Sequence, residues 1–251
     1  MVGLTCAVHA DTSDSSASES SSLPDQPTAK FLNNVIFTLL FLATMAQEGV
    51  LSYHDVVLYP EDVETLLPGA WLNDNILSFA FEWLTHGHPT LSHQGQLALL
   101  PPSVVQMMFA LEPTDLIALL ESWHLPQKTA ILLPISDSEQ LDTARSGSHW
   151  TLMVWNLASR TLTLYDSMHL GWSDKHQLIA AKLGHLVEQT INPTQCLTAS
   201  CPTQRNGFDC GLHVLSNAEQ AIAEHIQVDA GLVLPTSGRQ YLIVSCLDLL
   251  D

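Results

Sequence analysis

The chain has 251 residues and carries 26 acidic against 8 basic side chains, a formal net charge of −18. That length supports one domain of ordinary size with a core of its own. The acidic balance argues against a nucleic-acid partner, because phosphate contacts need clustered Lys and Arg, and it suits a partner with a basic tail, through faster encounter and register.

Residues 1–44 are unlike the remainder. Asp11 to Gln26 is dominated by Ser with Asp and Glu, a composition too poor in apolar groups to fold. Phe31 to Met45 is 15 residues without charge. A membrane span needs roughly 20, and the run lies too far in, behind an acidic stretch, for a secretory signal. The expectation is a leader over 1–44, dispensable for catalysis, and one folded domain over 45–251.

The pattern predicts helices at 71–85, 103–111, 114–122, 175–190 and 210–226, with another near 238–250. Strands are predicted at 129–134, 149–156, 161–166 and 195–199. In the first helix Ile76, Phe79, Ala80 and Trp83 form an apolar stripe, and Asn73 or Asp74 is placed to cap it. The run Thr129–Pro134 is apolar throughout, as in a central strand buried on both faces. Helices at both ends with strands between predict an α+β domain.

Two strands carry the first chemistry. Gly147–Trp155 is rich in strand formers, and Thr161–Tyr165 alternates Thr with Leu after a short polar turn. A turn centred between Leu157 and Ala158 sets His149 opposite Asp166, with Cβ atoms about 4.5–5.5 Å apart. Downstream, Gln204–Leu212 reads as a tight turn delivering Cys210 to the first turn of a helix. Leu212, Val214, Leu215, Ala218, Ala221 and Ile222 form its apolar face. Gly207 permits the turn and Asp209 is a candidate N-cap. The positive end of the helix macrodipole favours a nucleophilic thiolate there.

Taken singly, His149 reads as a strand histidine, Asp166 as a strand-end turn residue and Cys210 as a core cysteine. Together they make a Cys–His–Asp set, in which His149 takes the proton of Cys210 and Asp166 orients the imidazole. The five cysteines, at 6, 196, 201, 210 and 246, are odd in number and scattered, so no disulfide framework is expected. A reducing compartment, cytoplasm or nucleus, is expected instead. An alternative groups Cys196, Cys201, Cys210 and His213 as a zinc set, which leaves His149, Asp166 and Gln204 unexplained. No cofactor or metal is assigned.

Four motifs bear a resemblance to a known family: Trp71–Asp74, Gly147–Trp150, Tyr165–Ser167 and Gln204–Gly211. In order and spacing, with 17 residues from His149 to Asp166 and six from Gln204 to Cys210, the chain resembles the Ulp/sentrin-specific cysteine proteases. It is most similar there to the small deneddylase, in Val50–Tyr53, Leu67–Asp74 and Phe79–Glu82. The resemblance implies a papain-like fold in its Ulp arrangement, a central mixed sheet flanked by helices. It implies cleavage after the C-terminal Gly-Gly of a ubiquitin-like modifier, foremost the neddylation modifier, with SUMO or ubiquitin as alternatives. A catalytically silent binder is the alternative of another class.

Within that resemblance, Gln204 supplies an oxyanion donor beside the Cys210 backbone N–H. Trp71 and Trp150 clamp the di-glycine, which fits a narrow tunnel because glycine lacks a Cβ. Asp74 meets an arginine of the modifier's tail, or else caps the helix. A monomer is expected, without nucleic-acid or membrane partners.

Overall fold

The structure, a computed structural model, describes residues 49–87, 95–140, 147–190, 192, 195–226, 239 and 242. A hairpin opens it: β1 (Leu51–Tyr53) and β2 (Val56–Leu58) pair antiparallel around His54 and Asp55. His54 takes the left-handed backbone this two-residue turn needs, with φ 49°. Helix α1 (Pro60–Glu64) follows, then α2 (Asp74–Glu82), which runs on into a π-helical turn, Trp83–Gly87. Next come β3 (Leu97–Leu99), α3 (Pro102–Ala110) and α4 (Pro113–Leu120). The main sheet continues with β4 (Ala130–Ser136), β5 (Trp150–Asn156) and β6 (Thr161–Tyr165). Helix α5 (Asp174–Leu186), strand β7 (Cys196–Thr198) and helix α6 (Cys210–Ile226) complete it.

Five strands make a mixed sheet in the order β3-β4-β5-β6-β7, parallel at its two outer pairs and antiparallel between. The all-apolar β4 sits inside it, and both faces are covered. Ala130 and Leu132 of β4 join Leu152 and Val154 of β5 under Ile76, Leu77 and Phe79 of α2 and Val214, Leu215 and Ala218 of α6. Ile131, Leu133 and Ile135 face the other way with Met153 and Trp155, against Met108 of α3, Leu116 of α4 and Ile179 and Leu183 of α5. Period-two alternation along a doubly buried strand puts one residue in each core in turn.

The helices and strands expected between 71 and 226 are present, with ends shifted by up to four residues. The first helix begins at Asp74, not at position 71, because Asn73 Oδ1 accepts from Ile76 N at 3.0 Å and starts the helical turn there. Of the expected C-terminal helix only Arg239 and Leu242 are described, both helical; the leader 1–44 lies outside the described residues. The pieces not anticipated, β1, β2, α1 and β3, are three to five residues long. No helix among the described residues is long and apolar enough to cross a membrane.

Candidate active site

The β5–β6 ladder does not have the expected register. Asn156 pairs with Thr161 and Leu152 with Tyr165, so the turn is centred between Ala158 and Ser159. The reason is a four-residue loop, in which Ser159 N donates to Asn156 Oδ1 at 2.9 Å and Arg160 adopts φ 55°. Extended to its end, this register sets Asp166 opposite Thr151 and two places from His149. The slip is even, so the alternation of faces is kept. Diagonal neighbours lie within reach of longer side chains, and the two groups do meet, His149 Nε2 to Asp166 Oδ1 at 2.7 Å.

Both partners are held from behind. Asp166 is 1% exposed and accepts three hydrogen bonds, from His149, from Met168 N (3.0 Å) and from Gly171 N (2.9 Å). Burial disfavours its charge, but these donors, His149 first, outweigh burial and hold the carboxyl below its usual range. His149 is gripped by its backbone, where Asp137 Oδ1 accepts from Ser148 N at 2.6 Å and from His149 N at 3.0 Å. Asp137 is a supporting residue the motifs did not reveal. Its signal is topological, since Ser136 beside it pairs with Trp150 across the β4–β5 ladder.

His149 Nδ1 is buried and makes no hydrogen bond of normal geometry. The ring nonetheless interacts with the thiol of Cys210. Burial opposes the imidazolium, while Cys210 and then Asp166 favour it, and the outcome is a pKa above the ordinary histidine value. Cys210 opens α6 and is 1% exposed. Among the described residues Cys196, Cys201 and Cys210 are free thiols. The only potential metal-binding group there is His54, Glu82 and His86, so the alternative zinc set of Cys196, Cys201, Cys210 and His213 is not assembled.

The turn before Cys210 is built by Asn206 rather than Gly207. Asn206 Oδ1 accepts from Phe208 N and Asp209 N, each at 3.0 Å, an Asx-type turn. A Cβ on Gly207 would meet nothing. Asp209 O accepts from His213 N (3.1 Å) and so closes the first helical turn. Its carboxylate accepts from Asn206 Nδ2 (2.7 Å) and Arg239 Nη2 (3.0 Å). Gln204 is tied to the loop after β6: its N donates to Ser167 O at 2.9 Å, and Ser167 Oγ donates to its Oε1 at 3.1 Å. That leaves Nε2 as the donor end, and one of its hydrogens goes to Asn206 O.

Trp71 lies outside α2 and is 45% exposed, so it neither starts the helix nor fills the core. Trp150 is half-buried, and its indole N–H donates to Leu72 O at 3.1 Å. The two tryptophan segments are thereby tied to each other. Asp74 is exposed, and capping falls to Asn73, so the Asp74 carboxylate faces solvent at the start of α2.

The model of the Ulp1 protease family, C-terminal catalytic domain, matches residues 71–235. Sentrin-specific protease 8 of Homo sapiens is 32% identical over 173 residues, covering 68% of this chain and 79% of the human protein. NEDD8-specific protease 1 of Arabidopsis thaliana is 29% identical over 179 residues, covering 70% and 76%. The catalytic domain of the Chaetomium thermophilum Ulp1-like SUMO protease has a TM-score of 0.64 at 20% identity, covering 89% of this chain and 90% of its own, which shows the shared fold. This chain belongs to the Ulp1 protease family of cysteine-type peptidases.

Proposed function

We propose that this peptidase cuts after the C-terminal Gly-Gly of a ubiquitin-like modifier, that the modifier is NEDD8, and that Cys210, His149, Asp166 and Gln204 carry the reaction. The observation that carries the reading is the held imidazole: Nε2 is fixed on Asp166 at 2.7 Å, which leaves Nδ1 as the nitrogen we assign to the Cys210 thiol. His149 takes the thiol proton, and the sulfur attacks the carbonyl carbon of the last glycine. The developing oxyanion accepts from the Cys210 backbone N–H and the Gln204 side-chain N–H. The C–N bond then breaks, His149 gives its proton to the leaving amine, and a thioester remains. Water, deprotonated by His149, attacks that thioester and frees both the modifier and the thiol.

The covered nucleophile supports di-glycine selectivity, since a tail without side chains passes where others clash. Trp71 and Trp150, joined through Leu72, are the residues we assign to that clamp. Asp74 is the acidic contact we assign to an arginine in the tail. The NEDD8-specific name of a relative supports the modifier. Free thiols suit a reducing compartment, and we place the enzyme in cytoplasm or nucleus.

The test is hydrolysis of matched C-terminal fluorogenic amides of NEDD8, SUMO and ubiquitin. The expected result is a kcat/KM for NEDD8 at least about a hundredfold above the others, equivalent to roughly 2.7 kcal/mol of selective transition-state binding. Preference for SUMO or ubiquitin overturns the modifier assignment. A second comparison uses tails with and without arginine. Asp74→Ala should slow cleavage of the arginine-containing tail alone, and an equal loss on both tails removes Asp74 from the role.

A further inference from the structure

At the far end of α2, about 14 Å of helix from its cap, the fold gathers a second cluster of chemistry-bearing side chains. Glu82 closes α2, and His86 lies four residues on, in the π-helical turn. His54 comes from the turn between β1 and β2. Their ligand-type atoms all lie within 4.8 Å of one another. The His54 and His86 rings stack, with centroids 3.8 Å apart and planes at 18°. Glu82 Oε2 is shut off from water and makes no hydrogen bond; its contact with His86 Nε2, at 3.2 Å, lacks hydrogen-bond geometry. Asp55 adds a second negative charge acting on Glu82.

Left to themselves these groups are imperfectly matched, because burying the carboxylate oxygen has a desolvation cost that the ill-aligned His86 contact offsets only in part. A cation among them removes it. Two ligands on a tetrahedral ion, with bonds of about 2.0–2.1 Å, stand about 3.3 Å apart, close to the 3.2 Å between Glu82 Oε2 and His86 Nε2. The near-parallel rings must turn for both imidazole lone pairs to converge, and both histidines are exposed.

We propose that His54, Glu82 and His86 bind one divalent cation of the zinc class, clipping the β1–β2 hairpin to the C-terminal end of α2. Two imidazoles and one carboxylate suit zinc, cobalt or nickel over calcium and magnesium, which take oxygen sets. Three protein ligands leave a fourth position for water. The clip acts on stability, because a cation that binds only the folded hairpin holds it in place.

The test uses the full chain carrying Cys210→Ala, so that the nucleophile does not compete for metal. Cobalt titration should show one equivalent with a visible d–d band and no thiolate-to-cobalt charge transfer in the near ultraviolet. Zinc a hundredfold above its Kd should raise Tm by about 5–10 °C. Both effects should vanish when His54→Ala and His86→Ala are added, measured against that variant's own Tm in chelator. Glu82→Gln keeps the shape and should weaken cobalt binding roughly a hundredfold, which also serves if the double variant does not fold. Cobalt binding that survives these changes, a thiolate charge-transfer band, or no band at millimolar cobalt overturns the proposal.

Discussion

Asp166 acts on His149 through one short hydrogen bond and its charge, and that coupling has a pH signature. His149 has a raised pKa, to which Cys210 and Asp166 contribute. In the proposed mechanism His149 must be neutral to take the thiol proton, so kcat/KM falls on the acid side as His149 is protonated. Asp166→Asn removes the carboxylate's share, and the acid limb should move to lower pH with kcat reduced. An unmoved limb in a full pH–rate profile would show that Asp166 does not tune His149. The same shift bears on folding. A raised histidine pKa contributes stability that is fully present below the unfolded value, near about 6.5, and is lost as pH rises through the higher folded value. Tm of the wild type should therefore decline above neutral pH, and His149→Ala should flatten that decline. At this scale the residue types were legible, because a cysteine, a histidine and an aspartate were each flanked by recognisable local structure. The register was not, since Arg160 in a left-handed conformation lengthens the loop in a way no composition rule announces. Asp137 was equally hidden, because its partners Ser148 and His149 lie across a ladder that exists only in the fold.

At the scale of elements, the nucleophile is placed by where α6 begins. Gly211 packs directly on Leu72, and a Cβ there would come within 2.9 Å of the Leu72 Cβ. Leu72 also carries the carbonyl that receives the Trp150 indole. Helix α6, the segment before α2 and the strand that begins just after His149 thus share one contact point. Gly211→Ala should push the start of α6 away from Leu72, lowering kcat/KM roughly ten- to hundredfold by misplacing the thiol and costing about 1–3 kcal/mol by overpacking. Wild-type kinetics and Tm would contradict this coupling. Asn73 is the second pin: it caps α2 and its Nδ2 donates to buried Asp62 Oδ1 at 2.6 Å. Asn73→Ala should cost about 2–4 kcal/mol, a lost cap plus a carboxylate oxygen short of a donor, read as a lower urea midpoint. The helices were legible from apolar periodicity. Strands β1, β2 and β3 were not, because three residues are too few for a period. His54 reaches Glu82 and His86 only because β2 packs along α2.

For the whole molecule, one sheet divides two apolar cores, and the site lies where the ends of β5, β6 and α6 meet. The α+β class followed from helices at both ends with strands between, and the doubly buried β4 from the run at 129–134. Sheet order did not, because parallel partners such as β3 with β4 and β6 with β7 are joined by no local turn. We propose residues 1–44 as dispensable. A protein of residues 45–251 should keep wild-type kcat/KM, and loss of activity there beside an active full chain would refute this. The net charge of −18 predicts that KM for a basic modifier tail rises with ionic strength while kcat holds. The most direct test of the central claim is intact mass after mixing the protein with NEDD8, SUMO and ubiquitin bodies that carry a C-terminal electrophile. The account predicts one adduct, with NEDD8 only, that is absent in Cys210→Ala. An adduct that persists in Cys210→Ala, or none with any of the three probes, would contradict it.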